Sequence, residues 1–168
     1  LVMGIAGANA EARFILLAGV AGVLAGASSM AAGEYVSVQS QRELYEQQIA
    51  LEREELEMSP EEEKEELSLI YQAKGVPSNE AEELADRILS NPETAIDTLA
   101  REELGLDPTA LGSAWIAAAS SFIAFAFGAA IPVVPYFLTT GNTAFISSAI
   151  VCGLSLFLVG SVISIFTG

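Results

Sequence analysis

The chemistry-bearing residues of this chain are carboxylates, and their spacing is helical. Glu52 and Glu55 stand three residues apart, so they project from one face of a helix, and Glu63 and Glu66 repeat that spacing. Glu102 and Glu103 form a third acidic pair. Like charges this close repel unless water or a cation offsets them. Hard divalent cations take oxygen from several carboxylates at once, and such sites suit Mg, Ca, Mn and Fe(II). A solvated acidic face is the plain alternative, but no lysine follows four residues on from these glutamates to make an ordinary surface ladder. A second constellation is Met30 and Glu34, a thioether and a carboxylate one helical turn apart at the end of an apolar run. An ionisable residue at a membrane boundary is a functional candidate by default, although packing and simple solvation would also account for this pair.

What is missing narrows the chemistry further. There is no histidine, which removes Ser-His-Asp catalysis, zinc-hydrolase sites and the Glu-x-x-His half of a ferritin-type centre. The one cysteine, Cys152, lies in an apolar stretch and reads as a small buried thiol. No catalytic residue and no prosthetic group are expected, nor is a nucleic-acid partner. Any metal must be held by oxygen, with a methionine sulfur as the one soft option.

The elements that must position these residues divide sharply by charge. From Glu34 to Asp107 there are 21 Asp/Glu and 6 Lys/Arg, a net of −15, which equals the net charge of the whole chain. The flanks are apolar, and hydrophobic residues make up 52% of the sequence. Three stretches have the length of membrane spans: Phe14 to Gly33, Ser113 to Leu138 and Thr143 to Phe166. Trp115 and Tyr136 bracket the second, as interfacial aromatics would, and Thr139 to Asn142 form a polar turn before the third. Leu1 to Ala8 reads as the tail of a further span, so the chain reads as a fragment lacking the start of that helix. Six of the seven basic residues lie in the central block, which by the positive-inside rule places it in the cytoplasm.

Within the block the helix signals are strong. Glu34 to Met58 has no Gly or Pro and can continue the preceding span as one long helix. Ser59-Pro60-Glu61-Glu62 predicts a second start with a capping box, stopping at Gly75. Pro77-Ser78-Asn79 opens a third helix ending near Ser90, and Asn91-Pro92-Glu93 a fourth ending at Gly105 ahead of Asp107-Pro108. Leu67, Ile70 and Tyr71 share a face; so do Leu84, Ile88 and Leu89; and Ile96, Leu99 and Leu104 nearly do. Each helix buries one stripe, so the core is thin and a second copy would help. Ile131-Pro132-Val133-Val134-Pro135 predicts a kink inside a span. The expected fold is an all-α membrane protein with a cytoplasmic bundle of short helices inserted between helices two and three. Residues 1–33 carry the end of helix one and helix two, 34–107 the acidic metal-binding domain, and 108–168 helices three and four.

Ser29-Met30-Ala31-Ala32-Gly33-Glu34-Tyr35-Val36-Ser37-Val38 with Ser40-Gln41-Arg42, the Glu-rich helices, Glu102-Glu103-Leu104-Gly105-Leu106 and the span ending Ile131-Pro132 together resemble the vacuolar iron transporter family. The resemblance implies five transmembrane helices, a homodimer in the lipid bilayer, and Fe(II), often Mn(II), moved out of the cytosol in exchange for protons. It implies a bacterial member in the inner membrane, with helix five missing here. It assigns metal ligation to Glu52, Glu55, Glu63, Glu66 and Glu103, with Met30 as the pathway thioether. Two departures follow: the family's aspartate of helix one would lie upstream of Leu1, and Leu99 stands where members place a metal-binding methionine. Some bacterial relatives carry a rubrerythrin-like domain ahead of the transporter, which is a possible upstream partner here. The expected function is divalent-metal transport; the alternatives are a membrane-anchored metal buffer or sensor, and an acidic structural protein that recruits a basic partner.

Overall fold

The computed structural model describes residues 1–8, 10–107 and 112–167, and no strand occurs among them. Among the described residues eight helices follow one another: α1 (Val2–Gly7), α2 (Ala12–Met58), α3 (Pro60–Ala73), α4 (Ser78–Leu89), α5 (Pro92–Glu102), α6 (Ala114–Ala130), α7 (Val134–Leu138) and α8 (Gly141–Thr167). They make an all-α membrane protein. The chain divides into two units: a membrane unit, Leu1–Val36 with Ala114–Gly168, and an acidic unit, Ser37–Ser113. Pro108, expected to terminate the last short helix of the acidic unit, lies outside the described residues, as does the side chain of Glu93.

The absence of helix breakers between Glu34 and Met58 has its full consequence. The second span and the first acidic helix are one element, α2, of 47 residues, about 70 Å long at 1.5 Å per residue. Both α2 and α8 are long and apolar enough to cross a bilayer. The stretch from Ser113 to Leu138, expected as one span, is instead two helices. Pro132 and Pro135 cannot continue a hydrogen-bond ladder, so α6 stops at Ala130 and α7 restarts at Val134. The fully buried hydroxyl of Ser148 donates to the Pro132 carbonyl at 2.8 Å, supplying a partner to a group at the break. Inside the membrane unit α2 and α6 approach closely at Gly26, where a Cβ would run into the Phe125 ring. Tyr35 and Trp115 pack at 4.9 Å between ring centroids, an aromatic pair near the Val36 end of the unit.

The acidic unit is a small bundle whose core is as thin as its apolar stripes predict. Leu67, Ala85 and Leu99 are fully buried, and Leu56, Tyr71, Ile88 and Leu89 pack around them. On α4 the buried face is Ala81 and Ala85, while Leu84 is exposed; the small side chains let α3 and α4 come together. Ser59 is the residue before α3 with Pro60 following, yet its side chain makes no capping bond. Its carbonyl instead accepts the backbone N–H of Glu62 at 3.0 Å and of Glu63 at 3.2 Å, so the expected capping box is replaced by backbone contacts. Gly75 follows α3 at φ +96°, as its position predicts. Exposed ion pairs link the helices, Lys64 with Asp86 at 2.6 Å and Lys74 with Glu102, and each adds little on its own.

Because the core has so few large side chains, Leu99→Ala should cost about 2–5 kcal/mol. Leu84→Ala, on the exposed side of α4, should cost well under 1 kcal/mol. Thermal denaturation of the two variants, followed by circular dichroism, checks the difference.

Candidate metal centre

Three helices bring carboxylates to one point. Glu52 comes from α2, Glu63 from the first turn of α3, and Glu103 from the residue just beyond α5. One oxygen from each lies within 4.8 Å of the others. Local structure explains why these three converge. Leu56 follows Glu52 by four residues, Leu67 follows Glu63 by four, and Leu99 precedes Glu103 by four, so each acid is one helical turn from a core leucine. The carboxylates are therefore the polar layer stacked next to the apolar one. Glu103 is fixed by the end of its helix: its N–H donates to the Leu99 carbonyl at 2.9 Å. Gly105, at φ +65°, then turns the chain so that the Leu106 N–H reaches the Ala100 carbonyl at 2.8 Å.

The environment is costly for three negative charges. Glu52 and Glu63 are each only 5% exposed, and Oε2 of each is buried without a hydrogen-bond partner among the described residues. Burial first, and then repulsion from Glu103 and the neighbouring glutamates, pushes the carboxyl groups of Glu52 and Glu63 up to about 7. Glu103 is raised as well, by burial, by the charge of Glu66 and by a hydrogen bond with Glu66. A glutamate at a helix C-terminus also faces the negative end of the macrodipole, an arrangement that a cation relieves.

The donor set is all oxygen, which suits a hard or borderline divalent ion. Two oxygens on opposite sides of one ion are separated by at most twice the metal–oxygen distance, about 4.2 Å for a bond of 2.1 Å and about 5 Å for one of 2.5 Å. An outer spacing of 4.8 Å thus admits a large ion directly, and a smaller one after the side chains close by a few tenths of an ångström. Exposed Glu103 leaves one side of the centre open to water.

Of the residues singled out from sequence, Glu52, Glu63 and Glu103 meet directly. Glu55, partly buried, and Glu66, exposed, contribute through their charge on those three. Met30, 50% exposed, and Glu34, exposed, belong to the membrane unit and are not members of this cluster. Leu99 is wholly buried in the layer beneath it. Spacing alone does not mark that layer, since a glutamate and a leucine four residues apart also occur at Glu65 and Leu69 and at Glu80 and Leu84.

The titration gives a signed expectation. With native carboxyls near 7 against an ordinary value of 4.5, the folded state holds protons that the unfolded chain has released. The contribution of these two groups to the stability of the metal-free protein is therefore fully present below about pH 4.5 and is lost as pH rises through about 7. Glu52→Gln, which keeps the shape and removes one charge, should raise the melting temperature of the metal-free protein at pH 8 and change it little at pH 4.5. Differential scanning fluorimetry at the two pH values tests this, and a lower melting temperature at pH 8 would count against the repulsion.

Comparison with known proteins agrees with this architecture. The VIT family model matches residues 1–168. The chain is 33% identical over 169 residues to vacuolar iron transporter 1 of Arabidopsis thaliana, covering all of this chain and 68% of that protein. Identity to vacuolar iron transporter 2 of Oryza sativa subsp. japonica is 32% over 169 residues, covering 69% of it. For the vacuolar iron transporter of Acanthamoeba castellanii it is 39% over 132 residues, 79% of this chain and 49% of that protein. These relatives are named as transporters and not as enzymes. The chain, an all-α membrane protein with an acidic helical unit between its apolar helices, belongs to the VIT family.

Proposed function

We propose that this protein transports Fe(II), and also Mn(II), out of the cytosol, with protons moving the opposite way. Metal transport is the role its relatives' names carry. The observation that favours divalent metal as the cargo is the pair of buried, partnerless carboxylate oxygens on Glu52 and Glu63, beside Glu103. Orphaned buried acceptors are costly, and a cation at this point removes that cost for all three groups together. In this reading Glu52, Glu63 and Glu103 capture the ion and Glu55 and Glu66 strengthen the attraction. Met30 and Glu34 then receive it in the membrane unit, where a thioether favours Fe(II) over Mg(II).

An all-oxygen capture centre distinguishes Fe(II) from Mn(II) only weakly, so we assign both. It also need not hold the ion tightly, since transport requires release at every step. Carboxyls near 7 suit that role, because an arriving ion displaces protons and an acidifying medium returns them. We further propose a homodimer, with residues 34–107 on the cytoplasmic side of a bacterial inner membrane. A vacuolar setting is the one named for the relatives. A rubrerythrin-like domain upstream would be a natural supplier of iron.

Two measurements test this function. Full-length protein in proteoliposomes should take up Mn(II) and Fe(II) when a proton gradient is imposed; binding without gradient-driven uptake would make the protein a buffer or sensor instead. Glu52→Ala with Glu55→Ala should lower Mn(II) affinity at pH 7.5 by about 100-fold or more, read by isothermal titration. Unchanged affinity would leave the acidic unit as a charged surface for a basic partner. In the wild type the same titration should weaken steeply from pH 7.5 to pH 6, with protons released on binding.

A further inference from the structure

Helix α2 enters the acidic unit at Ser37 and runs through it to Met58. Its two sides there are unlike. Ile49 and Leu56 are half-buried and face the bundle: Leu56 packs against the core of Leu67, Ala85 and Leu99, and Ile49 looks across an apolar cleft at Leu89 and Ile96. On the opposite side of the helix Leu44 and Leu51 are each 52% exposed and Met58 is 69% exposed. These three stand seven residues apart. That interval is the one at which two helices wind round each other through a shared apolar seam.

The charges along the helix indicate what covers this stripe. Residues 37–58 hold six glutamates. With Leu44, Leu51 and Met58 as the a positions of a heptad, the d positions between them are Gln47 and Glu54, so Glu54 is the one acid in that part of the seam. In a parallel pair the g residue of one helix faces the e residue of the next heptad on the other. Those pairs are Glu43 with Gln48 and Ala50 with Glu55, so no two acids meet across the flanks. A basic partner would be met by acids along the contact; a second acidic copy needs them cleared from it, and α2 clears all but Glu54. The bilayer supplies the rest of the geometry. Because α2 is continuous with a membrane span, two copies in one membrane hold this helix parallel and at equal depth, which sets each a residue opposite itself. Membrane anchoring also gives the high effective concentration that a short seam requires.

We propose that a second copy of this chain docks on this face, the two α2 helices pairing outside the membrane as a parallel coiled-coil stalk through Leu44, Leu51 and Met58. The assignment rests on the homodimer proposed above and names the surface that makes it in the acidic unit. It has a consequence for the metal centres. Glu52 is buried against its own bundle, away from the seam, with Glu63 and Glu103 beside it. The two centres therefore lie on the flanks of a common stalk, and each copy holds its ion with its own three carboxylates.

Disulfide trapping of full-length protein in the membranes of the expressing cell tests the assignment. Cys152→Ser removes the one cysteine of this sequence, and single cysteines are then introduced on either side of α2. Under mild oxidation Leu44→Cys and Leu51→Cys should each give about tenfold more disulfide-linked dimer than Glu46→Cys or Arg53→Cys. The latter two positions are exposed as well, but on the far side of the helix, so reactivity alone does not produce the difference. All four sites are on the surface, where a cysteine leaves the fold intact. Light scattering of the purified protein gives its oligomeric state separately. A dimer with equal trapping on both sides, or with none at Leu44→Cys and Leu51→Cys, would overturn the stalk and leave the homodimer standing. A monomer would overturn both. Trapping of Leu44→Cys and Leu51→Cys to a different polypeptide would overturn the stalk in favour of another partner.

Discussion

The repulsion among three carboxylates on an apolar floor is the constraint on which the acidic unit depends. Glu52, Glu63 and Glu103 occupy the layer next to Leu56, Leu67 and Leu99, and a bundle this small has little core with which to offset them. A fold optimised for stability alone would place leucine there. Keeping acids makes the unit weakest in the metal-free, deprotonated state and strongest when something positive arrives. Whatever binds the native cluster stabilises it, so on the proposed function folding energy and metal affinity are two aspects of one arrangement. The same logic makes protons and metal competitors for the same oxygens.

In the proposed function, that competition would link the acidic unit to transport without requiring a tight cage. Carboxyls held near 7 lie where cellular pH can tip them. The membrane unit solves a different problem with different means. Its helices are almost free of charge, and its α6–α7 break is braced by Ser148 on Pro132. Glu34 and Met30 lie towards the Val36 end.

Much of the fold was legible because its determinants are local. A run without Gly or Pro made α2 continuous, Gly75 and Pro92 marked helix boundaries, and the apolar stretches marked the spans. Pro132 signalled a disturbance, but whether it kinks or breaks a helix depends on a partner for the freed carbonyl, and that partner, Ser148, is distant in sequence. The same holds for the metal centre. Spacing could nominate Glu52 with Glu55 and Glu63 with Glu66, yet the observed cluster takes one member of each pair and adds Glu103. Which member turns inward depends on helix rotation, which is set by packing of Leu67, Ala85 and Leu99. Leu84 shows where periodicity stops: of the α4 stripe of Leu84, Ile88 and Leu89, the last two pack on the core, while Leu84 is exposed and Ala81 and Ala85 are buried.

The central claim is that Glu52, Glu63 and Glu103 jointly hold a divalent ion. The most direct measurement is anomalous X-ray scattering from crystals of full-length protein grown with Mn(II). The expected result is a Mn peak bonded by one oxygen from each of the three, at no more than about 2.6 Å. A Mn peak at other residues, or none among these glutamates at saturating Mn(II), would contradict it.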